Sequence, residues 1–246
     1  MGESSGAALV TVLMHMNLHT RHPIFEARRW LMFLLDLLYP LRCGGCEEAG
    51  KGVWCESCDA RVQLLYAPLL TCPLVLPTHR QPAAIDVTSA AVYSTPLREA
   101  IHALKYDGVP ALAGPLSQYL VDAWRRSSLQ ADSIVPVPLH SRRRRERGYN
   151  QSELLARQLG REVGVPVEPR SLRRVRYTGQ QARLNAAERR QNVKGAFEAE
   201  RALSRGRHIV LVDDVFTTGA TMSECAEALL DAGAASVAAI TLARAG

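Results

Sequence analysis

Two adjacent carboxylates, Asp213 and Asp214, end the apolar run Ile209-Val210-Leu211-Val212, and a small, hydroxyl-rich turn follows: Thr217, Thr218, Gly219, Ala220 and Thr221. Acids in that place can accept hydrogen bonds from the two hydroxyls of a ribose and from the hydrated magnesium that accompanies a pyrophosphate. The threonines offer hydroxyl donors and Gly219 allows close backbone approach. A helix starting just beyond adds free N–H groups at the positive end of its dipole. The turn suits a phosphate monoester, so the whole stretch reads as a ribose-phosphate cradle. The alternative is a strand with a solvated acidic end and threonines that merely cap a helix.

A second chemistry sits near the start of the chain, where Cys43-Gly-Gly-Cys46 and Cys55-Glu-Ser-Cys58 are separated by eight residues. Two such pairs put Cys43, Cys46, Cys55 and Cys58 on two tight turns that can aim four thiolates at one ion, with tetrahedral zinc the expected occupant. A four-thiolate site is closed to substrate, so the metal is expected to be structural. Four reduced thiols in a loop is the competing reading.

The third stretch is basic. Five arginines fall within the six residues 142–147, just after the run Ile134-Val135-Pro136-Val137-Pro138-Leu139-His140-Ser141. Guanidinium forks pair with phosphate, so Arg142, Arg143 and Arg145 make an anion trap for a pyrophosphate or a nucleic-acid backbone; a solvated basic loop is the alternative. Arg176, Tyr177, Thr178 and Gln181 open a polar, basic segment that could fold over a bound polyphosphate and exclude water, or be an ordinary surface loop.

These groups need a scaffold. Residues 209–212 have the composition of a buried parallel strand, and Met222, Cys225, Ala226 and Leu229 recur at helical steps up to a stop at Gly233. Residues 85–93 and 236–244 read as further strands, 97–107 as a helix, and Pro115 as the start of another. Asn150 is placed to cap a helix carrying Leu154, Leu155 and Leu159. Lys105 and Arg98 could touch a ligand, although solvated helix charges are the commoner case.

The organisation expected is a leader over residues 1–27, an apolar helix with the four-cysteine module over 28–65, a proline-rich linker over 66–84, and an α/β domain with a parallel sheet over 85–246. Arg28 to Leu38 is too short for a membrane span and has no small-residue cleavage site after it. A chain of 246 residues, 47% hydrophobic and 22% charged, is long enough for a substantial core and is not compositionally disordered. The net charge of +6 favours an anionic partner.

Taken together, the paired Cys-x-x-Cys motifs, Leu104-Lys105-Tyr106-x-Gly108, the run from Val135 through Gly148-Tyr149-Asn150-Gln151-Ser152, Arg176-x-Thr178-x-x-Gln181, Asn192-Val-x-Gly-Ala-Phe197 and the Asp213-Asp214 strand closely resemble the ComF family, whose members are amidophosphoribosyltransferase-like competence proteins. The resemblance spans about Leu31 to Arg244. It implies a type I phosphoribosyltransferase fold that binds phosphoribosyl pyrophosphate (PRPP) with magnesium. Asp213 and Asp214 would meet the ribose, and Thr217 to Thr221 the 5′-phosphate. Val137, Pro138, Leu139, His140 and Ser141 would form the pyrophosphate loop, and Arg176 to Gln181 a flexible lid. Asp213, Asp214 and Arg176 are the residues expected at the reacting sugar. By the same likeness the protein would work in the cytoplasm in natural transformation, with single-stranded DNA and DNA-uptake proteins as partners. A transferase fold that only binds single-stranded DNA or a nucleotide is the second reading the resemblance leaves open.

Overall fold

The computed structural model describes residues 41–76, 83–178 and 186–245. The chain divides into two compact units, Met1–Leu41 and Arg42–Gly246. The expected leader and the apolar helix lie outside the described residues, while the sheet, its helices and both candidate sites belong to the second unit. Among the described residues, no helix is long and apolar enough to cross a membrane.

The four-cysteine segment contains one short helix, α1 (Glu56–Asp59). It is not a module hung on a linker. Leu64 bridges Ala91, the Arg126 guanidinium donates to the Leu65 carbonyl at 3.0 Å, and Trp54 Nε1 donates to the Tyr119 hydroxyl at 3.0 Å.

The expected linker 66–84 is corrected likewise. Within it, β1 (Thr71–Leu76) pairs antiparallel with β2 (Ala83–Val92), from Thr71 opposite Thr88 to Leu76 opposite Ala83. Proline spacing suggested a linker, yet β1 is the outermost strand of its sheet, where Pro73 can be accommodated without removing a ladder bond from a central position.

Helix α2 (Leu97–Tyr106) follows, then a 3-10 turn (Pro110–Leu112) and α3 (Ala113–Arg126), which starts two residues before the proline expected to open it. After β3 (Ser133–Pro136), the arginine run forms helix α4 (Ser141–Arg147) rather than a loop, because His140 caps it through Nδ1 on the Arg142 N–H at 3.2 Å and Gly148 ends it at φ 84°. Asn150 caps α5 (Gln151–Val163) as its sequence predicts, accepting from the Ser152 N–H at 3.2 Å. Strand β4 (Leu172–Arg174) pairs antiparallel with β5 (Phe197–Ala199), and between them α6 (Ala186–Val193) occupies part of the segment expected as loop. A single turn, α7 (Arg201–Ser204), leads into β6 (His208–Phe216), α8 (Ala220–Asp231) and β7 (Ser236–Arg244).

The main sheet has the order β1-β2-β7-β6-β3, parallel throughout except for β1, so it is mixed rather than purely parallel. Val210 and Val212 pack into a core with Leu97, Ile101, Leu116 and Leu155, while Ile209 and Leu211 pack into another with Val87, Met222, Cys225 and Leu229. Consecutive strand residues point to opposite faces, so burial on both faces explains why residues 209–212 are uniformly apolar. Each of those side chains is at most 1% exposed and stabilises the fold by roughly 1.5–3 kcal/mol.

Candidate functional site

The acid pair lies near the C-terminal end of β6, and strand β3 beside it leads into Val137, whose N–H donates to the Val212 carbonyl at 2.9 Å. At this edge a cavity of about 1130 Å³ opens. Its walls include Asp213, Asp214, Thr217, Thr218, Gly219, Ala220, Thr221, Val137, Pro138, Leu139 and Arg143. Ligands of open α/β sheets bind outside the carboxyl ends of strands, and the cavity is in that place.

Gly219 is the N-cap of α8 at φ 74°, and a β-carbon on it would lie 2.6 Å from Leu74 Cδ1 and 3.1 Å from the Phe216 ring. Both the left-handed backbone and the close approach require glycine. Gly219→Ala is therefore expected to cost on the order of 1–3 kcal/mol and to displace the threonine turn, seen as a lowered melting temperature together with lost phosphate-ester binding.

Asp213 Oδ1 accepts from the Ser152 hydroxyl at 2.8 Å and from the Asp214 N–H at 2.9 Å. Burial, reinforced by the neighbouring Asp214 charge, pushes the Asp213 carboxyl up to about 7; Lys105 and the Ser152 hydrogen bond hold it back only in part. Asp214 is 3% exposed and carries Lys105 Nζ on Oδ1 at 2.6 Å, while its Oδ2 is buried with no hydrogen-bond partner. Burial opposes the Lys105 charge, but Asp214 outweighs it and holds the ammonium pKa above its ordinary value.

The other expected residues separate. Arg143 lines the cavity and reaches the Thr178 carbonyl at 3.4 Å. Arg142 pairs with Glu146 at 2.9 Å and lies over the Tyr177 ring at 5.1 Å; His140 meets the same ring edge-on at 5.2 Å. Neither these nor Ser141 and Arg145 belong to the cavity wall. Arg176 turns away to the carbonyls of Asn192 at 3.0 Å and Lys194 at 2.5 Å, where it closes the end of α6. Thr178 is buried and accepts from Arg174 through Oγ1. Gln181 lies outside the described residues.

Arg174, not the Arg176 that the family resemblance put at the reacting sugar, is the arginine of this segment in the cavity wall. It lies over Phe197 at 5.2 Å, and its Nε is buried without a partner. Burial and the nearby Arg143 charge lower its pKa, as expected of a guanidinium short of anionic company. Lys105, Ser152 and Arg147 also line the cavity. Ser152 was legible in principle, since Asn150 in the N-cap position fixes the first turn of α5.

At the other site, the four cysteine sulfurs all lie within 4.8 Å of one another, and Cys46 Sγ is 3.8 Å from Cys55 Sγ. A tetrahedral ion with thiolate bonds of about 2.3 Å needs sulfur–sulfur edges of about 3.8 Å. Arg61 donates to Cys58 Sγ at 3.3 Å, and the N–H groups of Gly45 and Cys55 approach Cys43 Sγ at 3.4 Å, which would offset thiolate charge. The donor set fits a closed, thiophilic metal site.

The phosphoribosyl transferase domain family model matches residues 146–246, the part that contains α5, the acid pair and the threonine turn. The DNA utilization protein YhgH of Escherichia coli K12 is 36% identical over 202 residues, covering 79% of this chain and 86% of that protein. Competence protein F of Haemophilus influenzae is 32% identical over 213 residues, covering 82% and 90%. The chain belongs to the ComF family. Competence protein ComFC of Bacillus subtilis is a further relative, 36% identical over 112 residues, 45% of this chain and 44% of that one. As a ComF-family protein the chain has the type I phosphoribosyltransferase fold, a mixed sheet whose parallel strands are flanked by helices, with the four-cysteine cluster ahead of it.

Proposed function

We propose that this ComF-family protein binds PRPP, or a related ribose 5-phosphate ester, in the cavity at the end of β6, and that it works in the cytoplasm in DNA uptake, a role in keeping with relatives named for DNA utilization and competence. One observation carries the reading: the acid pair, the threonine turn at the N-terminus of α8, Arg143 and Arg174 all line a single cavity. Asp213 and Asp214 take the ribose hydroxyls. The turn takes the 5′-phosphate, and the two arginines face the pyrophosphate. Magnesium, bound with the pyrophosphate, supplies charge neutralisation. In a transfer reaction an acceptor nucleophile forms a bond to the anomeric carbon as the bond to pyrophosphate breaks. The acid pair holds the sugar in place by its hydroxyls, and the departing oxygen is stabilised by Arg143 and Arg174.

Calorimetric titration of the metal-loaded protein with PRPP and magnesium is expected to give micromolar binding that Asp214→Asn weakens at least a hundredfold. Absence of binding at millimolar ligand would end this reading.

A second reading has its own support. Tyr177 and Tyr106 are 42% and 63% exposed, with Arg142 over the first at 5.1 Å and Arg147 over the second at 5.2 Å. Exposed rings interleaved with guanidinium groups suit the bases and phosphates of single-stranded DNA. In this reading, affinity falls steeply with salt, and replacing Arg142 through Arg145 flattens the salt slope.

A further inference from the structure

Lys105 stands in the last turn of α2, and the carbonyl of the preceding Leu104 accepts from the Tyr149 hydroxyl at 2.6 Å, which ties this turn to the start of α5. From there the ammonium reaches Asp214 Oδ1 at 2.6 Å. Asp213 has one oxygen committed to Ser152 and to the Asp214 N–H. Asp214, which lines the cavity, has one oxygen committed to Lys105 and the other, Oδ2, buried without a donor. A buried carboxylate oxygen with no partner is destabilising until a donor arrives.

We propose that Lys105 is a positioning and specificity residue: by occupying one side of Asp214 it makes the acid pair a reader of neutral hydroxyl donors and bars a divalent cation from binding the pair directly. A bare cation would have to approach a carboxylate whose Oδ1 already holds an ammonium at 2.6 Å, which offsets that carboxylate's attraction and repels the second cation. A sugar hydroxyl meets no such repulsion, and it satisfies Oδ2. The pair therefore selects sugars with vicinal hydroxyls, and a deoxy sugar leaves a buried acceptor unpaired. The sugar preference rests on the ribose-phosphate reading above. The exclusion of metal does not.

The test uses Mn2+ alone, followed by the electron paramagnetic resonance of the free ion, on the zinc-loaded full chain. The wild-type protein is expected to show no site of this kind below millimolar concentration. Lys105→Met should gain one equivalent bound at least tenfold more tightly, Lys105→Met/Asp214→Asn should lose it, and Lys105→Arg should behave as wild type. Lys105→Gln keeps a donor for Oδ1 without the charge and carries the same expectation as Lys105→Met if the latter proves too unstable to purify. Mn2+ binding unchanged by both Lys105→Met and Lys105→Gln, or a tight wild-type site abolished by Asp214→Asn, overturns the proposal. In parallel, wild type should prefer ribose 5-phosphate to 2-deoxyribose 5-phosphate by at least tenfold, and Mn2+ should narrow that preference in Lys105→Met but not in wild type. If ribose 5-phosphate does not bind wild type at all, the ribose-phosphate reading fails while the Mn2+ series still decides the role of Lys105.

Discussion

Stripping the metal from the four-cysteine site, or replacing Cys58 with serine, is expected to lower the melting temperature by on the order of 10 °C. Zinc is the ion expected there, and structural zinc in small modules supplies about 10–16 kcal/mol of apparent binding energy at neutral pH, much of it used to order the segment. Here the ordered segment includes Trp54, whose indole N–H bonds the Tyr119 hydroxyl and Asp59, and that joint fastens the segment to α3. Gly44 also lies against Leu112, close enough that a β-carbon would sit 2.7 Å from Leu112 Cδ1. Losing the ion releases that cover from the core while leaving the sheet, so a net loss of about 3–5 kcal/mol is expected rather than unfolding of the whole chain. Chelation with zinc release followed by a colorimetric dye, run beside thermal melts and Trp fluorescence, checks it. A melting temperature unchanged by chelation would reduce the cluster to four ordinary thiols.

Asp213→Asn is expected to stabilise the protein at pH 8 by on the order of 2–4 kcal/mol while destroying ribose-phosphate binding. The carboxyl pKa is raised from 3.8 to about 7 in the fold, mainly by burial and by the Asp214 charge. A group that holds its proton more tightly when folded contributes stability that is complete below its unfolded pKa and is lost as pH rises through the folded one. Stability should thus decline between about pH 4 and pH 7 and level off above. Asparagine has no proton to lose, so its advantage is greatest on the alkaline side and shrinks toward pH 4. Denaturant melts at pH 5 and pH 8 measure the difference directly. A variant less stable than wild type at pH 8 would mean that Lys105 and Ser152 outweigh burial. The expected trade, stability for binding, is that of a site held in an unfavourable state because its ligand needs it.

The parts of the site set by local pattern were legible in the chain: residues 209–212 had to be buried on both faces, Gly219 had to precede a helix, and Asn150 had to cap one. What escaped depends on contacts across the fold. Lys105 looked like an ordinary helix charge because its partner, Asp214, is more than a hundred residues away in sequence. Arg174 and Arg176 were indistinguishable by composition. In β4, Arg173 turns outward to Glu198 and Arg174 turns inward, and the strand ends before Arg176, whose guanidinium is drawn off by the carbonyls at the end of α6. The Tyr149 hydroxyl is spent on the Leu104 carbonyl, a contact 45 residues away along the chain, while Tyr106 stands exposed. Proline in β1 misled because a strand at the margin of a sheet tolerates what an interior strand does not.

Strand β7 runs between β2 and β6 in the sheet, although it follows every other described strand along the chain. During synthesis, β1 with β2 and β3 with β6 must therefore wait as two half-sheets with no common neighbour until residues 236–244 have cleared the ribosome. Each half presents an open, apolar edge for that interval, the kind of surface on which nascent chains cross-associate and which chaperones shield. The cavity wall draws on both halves, with Lys105 on the helix after β2 and Asp214 on β6, so it is expected to take its shape only once β7 has joined them, and products ending before this strand should carry the acid pair without binding ligand.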